Sequence, residues 1–346
     1  GGYILKIDKG TWDNNYGWYS ESPLPNYNGR WYLYHYPKPD EIVDEQKEYI
    51  INYITGFENV MSSDSYNDIS NGYYDLVDLS SFIDISMLSE IAKNIDAYRL
   101  SAYMYKDKDS NDPRLKVGPV WDYNLAYGNA DYFNGWEPVG WQIDIDLGAD
   151  YGYIPFWWYR MWADPIFLNS FKNRWQNLRS SVFSLNNMMS IIDSATTLID
   201  QAQRRNFQRW PILNTYVWPN AYIGGNYENE INYLKGWIVD RAEWMDSQSD
   251  LMAIDSKSYD NYRIKNISPN PFNAKISMTF IGSNSKNLTV KLYNALGKEV
   301  ATLIEEDVFY GERKITWDGS AYSSGTYFIK LTTPSTSQIK KVMLLK

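Results

Sequence analysis

The spacing of apolar residues changes near residues 247–263, and this change constrains the fold more than any other feature of the sequence. Before it, helical segments in which apolar residues recur at intervals of three and four are mixed with strand-like segments. After it, short alternating runs are separated by turn signals such as Asp318-Gly319 and Ser324-Gly325, a pattern typical of strands. The stretch between them is polar and without periodicity. The 346 residues are therefore predicted to form two domains, 1–246 and 264–346, joined by a linker.

The first domain mixes both kinds of pattern and is predicted to be of the α+β class. Ser80 or Ser81 is a plausible N-cap for its second helix. The expected strands are Ile4–Asp8, Trp31–Tyr36, and a β-hairpin of Tyr98–Lys106 and Arg114–Trp121 around the turn Asp107–Pro113. The expected helices are Asp40–Met61, Leu79–Lys93, 155–182, 186–207 and 227–246.

The second domain is predicted to be a small all-β, immunoglobulin-like sandwich, because its strands are short and evenly spaced. The expected strands are Ile276–Phe280, Leu288–Tyr293, Glu299–Ile304, Lys314–Trp317, Thr326–Leu331 and Lys340–Leu345.

Charge and composition exclude several classes of function. Residues 262–346 carry 12 Lys and Arg against 6 Asp and Glu, whereas the preceding 261 residues carry 21 against 36. The acidic larger part argues against nucleic acid as a partner. The absence of Cys excludes disulfides and thiolate metal sites, and the single histidine, His35, is interpreted as a structural strand residue. No apolar run is long enough for a transmembrane helix.

The first residues, Gly1–Ile7, alternate like a strand already under way. They include neither an initiator Met nor the basic and apolar regions of a signal peptide. We therefore expect a further segment upstream of this sequence.

Two aspartates flank the predicted hairpin. Asp96 precedes its first strand and Asp122 follows its second, and the midpoint between them, residue 109, lies in the turn. Because opposed residues of an antiparallel pair have a constant index sum, both carboxylates are expected side by side at the open end of the hairpin. The alternative is that both are ordinary turn formers at strand ends.

Two close carboxylates repel each other, and either a raised pKa or a bound divalent cation relieves the repulsion. Asn124 and Ser101 supply further oxygen donors nearby, and an all-oxygen donor set suits Mg²⁺ or Ca²⁺. Arg99 and Lys93 would neutralise an anionic substrate, so the parts needed for phosphoryl transfer are present. The acidic turn Asp107–Asp112 could itself hold Ca²⁺, although a plain polar hairpin tip is the preferred interpretation.

Two long segments, Ser89–Ser101 and Lys116–Asn129, resemble the signature of the CotH (spore coat protein H) kinase family. Further matches are Gly1–Ile7, Tyr36–Glu41, Gly135-Trp136, Pro155–Trp158 and Arg174-Trp175. The resemblance covers roughly residues 1–246 and implies an atypical protein-kinase-like domain, mostly its helical C-lobe, with an N-lobe that lies partly upstream.

Carried onto this sequence, the resemblance implies that Asp96 is the catalytic base and that Asp122 is the Mg²⁺ ligand that orients the ATP phosphates. Ser101 stands where ordinary protein kinases place a metal-binding Asn, and Asn124 could substitute for it. Lys6 is interpreted as a solvated strand residue rather than as the nucleotide-contacting lysine. The implied cofactors are ATP and Mg²⁺ or Mn²⁺.

The last domain resembles the C-terminal sorting domains of type IX secretion. The resemblance rests on these segments: Ile267–Asn273, Leu292–Val300, Trp317–Gly319, Ser324–Phe328 and Lys340–Lys346. It implies that residues 264–346 contact the secretion machinery, that the protein crosses the outer membrane, and that it is released or held at the cell surface. A generic accessory module of immunoglobulin type is the alternative.

Two functions are consistent with the sequence. The first is a secreted kinase that phosphorylates Ser/Thr of an extracellular or surface protein. The second is an inactive kinase-like surface protein that binds polysaccharide or protein through aromatic residues. The candidates for such an aromatic surface are Trp136, Trp141, Trp157, Trp158 and Trp162, and core packing is the preferred interpretation for them.

Overall fold

A computed structural model describes residues 2–9, 15–24, 27–145, 154–248, 261–332 and 337–346. The chain divides into two compact units, Gly1–Met252 and Ala253–Lys346. Most of the predicted linker, 247–263, lies outside the described residues. Within the described part of the chain, no helix is long and apolar enough to cross a membrane.

The first unit is α+β, as predicted. Its strands are β1 (Tyr3–Ile7), β2 (Gly17–Ser20), β3 (Arg30–Tyr36), β4 (Ala102–Lys106) and β5 (Leu115–Val117). They form one antiparallel sheet in the order β2-β3-β1-β4-β5. Its helices are α1 (Asp44–Ser62), α2 (Leu79–Ala92), α3 (Phe156–Trp162), α4 (Pro165–Arg179), α5 (Leu185–Arg209) and α6 (Tyr227–Ser247).

The core of this unit forms between one face of the sheet and the helices. Alternate residues of β1 are buried, as expected for a strand with one face against a core. The apolar stripe of α1 belongs to the same cluster, together with the aromatic start of α3. The buried hydrophobic residues of these three elements are Tyr3, Leu5, Ile7, Ile50, Ile54, Phe57, Met61, Phe156, Trp157, Trp158 and Met161.

Several predicted boundaries are wrong for local reasons. The predicted helix 155–182 is two helices, because Pro165 has no amide hydrogen to continue α3 and Asp164 instead caps α4, accepting from the Ile166 amide at 3.0 Å. The N-cap of α2 is Asp78 rather than Ser80 or Ser81; its side chain accepts from the Ser80 amide at 3.2 Å. Strand β2 was not predicted.

The register of the hairpin also differs from the prediction. Met104 pairs with Val117 and Lys106 with Leu115. The residue numbers of each pair therefore add up to three more than the predicted register requires. Only three residue pairs form, and the pairing ends before either aspartate is reached. Asp96 and Asp122 are therefore not a cross-strand pair, and each lies in a turn beyond its strand.

The second unit is all-β, with strands β6 (Asn261–Ser268), β7 (Lys275–Asn294), β8 (Glu299–Asp318), β9 (Gly325–Thr332) and β10 (Ser337–Leu344). Strand β7 joins two of the predicted short strands into one, and so does β8. The two long strands pair with each other along their whole length. Strand β7 also pairs with β6 through its first half and with β9 through its second half. The arrangement is consistent with the predicted sandwich, and Phe272 and Trp317 contact each other in its core, with ring centroids 5.6 Å apart.

Candidate functional site

The two aspartates lie on adjoining turns. Asp96 belongs to the turn between α2 and β4, and Asp122 belongs to the segment after β5. The two segments are tied together because the Tyr127 amide donates to the Ala92 carbonyl at the end of α2, at 2.7 Å. The Ser101 hydroxyl also donates to Oδ2 of Asp122, at 3.3 Å. A helix end thus fixes one turn against the other.

The backbone of these two segments is strained. Among the described non-glycine residues with positive φ, most lie between positions 93 and 134. Those in the two turns are Lys93 (44°), Tyr98 (69°), Ser101 (49°), Asp122 (62°) and Tyr127 (56°). Each such residue costs on the order of 1–3 kcal/mol, and such strain concentrates at functional sites. The strain therefore points to these turns as a site.

Asp96 lies in a partly buried, electrostatically crowded position. Its side chain is 13% exposed, and its Oδ1 accepts from Arg99 Nη2 at 2.8 Å. Burial raises the pKa of Asp96, the charges of Arg99 and Lys9 oppose that rise, and the charges of Asp122 and Asp8 add to it. The charge of Asp122 thus disfavours ionisation of Asp96.

Arg99 acts on Asp96 rather than facing open solvent. Its side chain is 3% exposed, and Nη2 also donates to the Ile95 carbonyl at 3.1 Å. Its guanidinium carbon lies 5.9 Å from the centre of the Phe133 ring. The structure gives Arg99 the geometry of a residue that positions Asp96, and the neutralisation of an anionic substrate by Arg99 stays a prediction.

Lys93 is likewise engaged within the protein. Its Nζ donates to the carbonyls of Asn134, Glu137 and Val139 at 3.0, 2.8 and 2.7 Å. An ammonium group has three donors, so these bonds use all of them. Burial, and then the charge of Arg241, lower the pKa of Lys93 to about 8. The geometry favours a structural function for Lys93 over the predicted contact with substrate.

Asp122, Asn124 and Ser101 are the oxygen donors that the sequence predicts for the site. Asp122 and Asn124 are exposed, and Ser101 is half-buried beside Asp122. Within the described residues, no three His, Cys, Asp or Glu side chains gather closely enough to hold a metal ion. This donor set fits Mg²⁺, which binds through one or two carboxylates, substrate phosphates and waters.

A small cleft with a volume of about 40 Å³ lies beside these turns. It is bordered by the hairpin and by residues of both turns, including Ser101, Trp121 and Tyr123. Neither Asp96 nor Asp122 lines it. The cleft therefore adjoins the pair of carboxylates without containing them.

A buried ion pair that was not predicted from the sequence is hydrogen-bonded to the turn that contains Asp96. Glu90 and Arg241 are both 0% exposed and lie 3.3 Å apart. Glu90 also accepts from the Tyr98 hydroxyl at 2.9 Å and from the amides of Gln142 and Ile143 at 2.6 and 3.0 Å. Arg241 donates further to the carbonyls of Glu90, Pro138 and Gly140. The sequence feature that could have indicated this ion pair was the single glutamate, Glu90, near the end of a largely apolar helix.

The remaining candidates lie outside the site. At the hairpin tip, Asp109 accepts from Lys106 and Tyr49, and Asp112 accepts from Arg114, which favours a polar tip over a Ca²⁺ loop. His35 is exposed and meets the edge of Tyr103. Of the five tryptophans considered as a surface, Trp157 and Trp158 are buried and Trp141 and Trp162 pack against the core, which leaves Trp136 partly exposed.

Two family models match the sequence. The family model described as CotH kinase protein matches residues 1–245. The chain belongs to the CotH kinase protein family. A second model, described as a secretion system C-terminal sorting domain, matches residues 266–345. Both predicted resemblances are thus confirmed, and the sorting domain indicates export by type IX secretion, to the cell surface or the medium.

Similarity to individual proteins is weak, and a search among curated proteins found no relative. PorZ, an essential surface component of the type IX secretion system of Porphyromonas gingivalis, is 16% identical over 23% of this chain and 11% of its own, with a TM-score of 0.19. Latent PorU from the same organism is 18% identical over 27% and 10%, with a TM-score of 0.22. An endo-β-1,4-mannanase from Thermotoga petrophila is 10% identical over 37% and 26%, with a TM-score of 0.18. The chain spans about a tenth of the length of PorZ and PorU.

Proposed function

We propose that this chain carries the catalytic residues of an exported, atypical protein kinase that transfers the γ-phosphoryl group of ATP to Ser or Thr of surface or extracellular proteins. The observation that carries the proposal is the pair formed by Asp96 and Asp122. The two lie on adjoining strained turns, one held by Arg99 and the other exposed beside Ser101. Membership of the CotH kinase protein family supports the same reaction class.

In this mechanism, Asp96 is the general base. Its carboxylate accepts the proton of the acceptor hydroxyl as the oxygen attacks the γ-phosphorus, and the bond from that phosphorus to the bridging oxygen of ADP breaks. Arg99 holds Asp96 in a fixed orientation through the 2.8 Å ion pair. Because phosphoryl transfer depends mostly on positioning and charge, a rigid pair of turns suits it.

Asp122 would hold the metal, with Asn124 and Ser101 as neutral oxygen donors nearby. When bound, Mg²⁺ or Mn²⁺ neutralises negative charge on the nucleotide phosphates. The exposure of Asp122 leaves room for both the phosphates and metal-bound waters, as Mg²⁺ requires. Burial of Asp96 beside it keeps the base out of bulk water.

A second function has one observation in its favour. Asp96 is largely buried and is already committed to Arg99, an arrangement that a structural aspartate also shows. Under this alternative, the protein is an inactive kinase-like surface protein that binds polysaccharide or a protein partner through its exposed aromatic residues.

The test is transfer of phosphate from radiolabelled ATP to protein by the full-length protein, with Mg²⁺ and with Mn²⁺. Asp96→Asn and Asp122→Asn should each lower the rate at least about 100-fold, because each removes one part of the transfer machinery. Asp84→Asn is the matched control, since Asp84 is an exposed aspartate of α2 paired with Arg174. Equal rates in the wild type and in both site variants would contradict the proposed function.

A further inference from the structure

The loop between α5 and α6 exposes a cluster of large apolar side chains. Trp218 is the most prominent, with 71% of its surface exposed. The exposed apolar residues of this loop are Trp210, Ile212, Tyr216, Val217, Trp218 and Ile223. Single exposed apolar residues are ordinary, but six of them within one loop favour an interaction surface.

The loop is fixed in place by the segment that follows the site. The Asp131 amide donates to the Pro219 carbonyl at 2.9 Å, and the Ala221 amide donates to the Asn129 carbonyl at 2.9 Å. The Tyr216 hydroxyl donates to the carboxylate of Asp131. Trp218 is therefore presented by an anchored backbone, which lowers the entropy cost of binding to it.

Trp218 is connected to Asp96 by a short series of contacts. Its ring stacks on Tyr132, with centroids 6.3 Å apart and planes 8° apart. Phe133, the neighbour of Tyr132, lies under the guanidinium of Arg99, which in turn pairs with Asp96. The pKa of Tyr132 is raised mainly by burial, and the charges of Asp96 and Asp131 add to the rise. The exposed ring of Trp218 is thus packed onto side chains that lead to the candidate site.

We propose that Trp218 and Tyr132 form the docking surface for the acceptor protein. The bound segment would place an aromatic or aliphatic side chain on Trp218, Lys or Arg toward Asp131, and its Ser or Thr hydroxyl toward Asp96. This assignment rests on the proposed kinase function and specifies its substrate class.

A protein segment fits this surface better than a glycan. Tyr132 is half-buried, and Trp218 has the most exposed aromatic ring of the loop. Its exposed neighbours Ile212, Val217 and Ile223 are aliphatic and would leave sugar hydroxyls without partners, whereas they would pack well against apolar side chains. Tryptophan and tyrosine are also the residues that most often dominate binding energy at protein interfaces.

The experiment measures binding of the full-length protein to an array of Ser-centred peptides without nucleotide, and then phosphate transfer to the same peptides with ATP and Mg²⁺. The retained peptides should combine an aromatic or aliphatic residue with Lys or Arg. Trp218→Ala should weaken their binding about tenfold or more and raise the KM of transfer, whereas Trp218→Phe should restore part of the binding. Leu198→Ala is the control, because Leu198 is 85% exposed on α5.

The possible outcomes separate this assignment from the proposed function. If peptides bind through Trp218 but receive no phosphate, the docking surface is supported and the kinase proposal is contradicted. If Trp218→Ala binds and phosphorylates the peptides as the wild type does, the docking surface is wrong and the kinase proposal stands. Binding of cello- or manno-oligosaccharides that depends on Trp218, without binding of any peptide, would overturn the assignment in favour of a glycan. Circular dichroism of Trp218→Ala checks that the variant is folded.

Discussion

Replacing Arg241 by methionine is expected to destabilise the first unit strongly, although the substitution is far from Asp96 in sequence. Arg241 and Glu90 are both fully buried and 3.3 Å apart. Methionine fills a similar volume but cannot donate to Glu90 or to the carbonyls of Pro138 and Gly140. The variant therefore leaves one buried carboxylate without its counter-charge and two carbonyls without their donor.

The expected loss is about 3–5 kcal/mol, the usual consequence of removing one partner of a buried pair. For a unit of this size, that corresponds to a fall in Tm of roughly 6–20 °C. A matched control is Arg174→Met, because the pair of Arg174 with Asp84 is 39% and 48% exposed at a shorter distance of 2.7 Å. That exposed pair should contribute less than about 1 kcal/mol.

The assay is urea unfolding followed by ellipticity at 222 nm, which reports on the first unit because every helix among the described residues belongs to it. Combining Glu90→Gln with Arg241→Met should recover part of the loss, since a neutral amide oxygen still accepts from Tyr98 and from the amides. Equal losses of unfolding free energy in Arg241→Met and Arg174→Met would refute the reasoning, because burial would then have no influence on how much an ion pair contributes to stability.

The loss of stability in Arg241→Met is also predicted to depend on pH. Burial already raises the pKa of Glu90, and the charge of Arg241 is the largest opposing influence. Without Arg241, the folded protein holds a proton on Glu90 that the unfolded chain releases. The variant should therefore be most stable in acid and lose stability as the pH rises above the ordinary range of glutamate. A deficit that grows on acidification would contradict this account.

Two further predictions concern the site itself. The charge of Asp8 raises the pKa of Asp96 and the charge of Lys9 lowers it. Asp8→Asn should therefore move the acid limb of the pH–rate profile of phosphate transfer to lower pH, and Lys9→Met should move it to higher pH. Shifts of both variants in the same direction would contradict the electrostatic account. Lys93→Met should cost about 2–4 kcal/mol of stability in urea unfolding, because three carbonyls lose a charged donor. Unchanged stability with a raised KM for ATP would instead show that Lys93 contacts the nucleotide.

The local sequence determined much of this protein. The periodicity of apolar residues and the turn residues were sufficient to predict most helices, the hairpin and the α+β class, because these features depend on neighbouring side chains. Long motifs identified the CotH family and the sorting domain, and with them the route of export. The segments containing Asp96 and Asp122 were found in the same way, and their catalytic assignment stays a prediction.

Tertiary structure alone decided what the charged side chains around Asp96 do. Whether Lys93 or Arg99 faces a substrate depends on which acceptors surround it, and those of Lys93 lie about forty residues further along the chain. The hairpin register could not be predicted either, since three residue pairs and a long turn leave several alignments close in energy. Glu90 and Arg241 are separated by 151 positions, and nothing in their local sequence indicates that folding removes both from water and leaves each as the other's counter-charge.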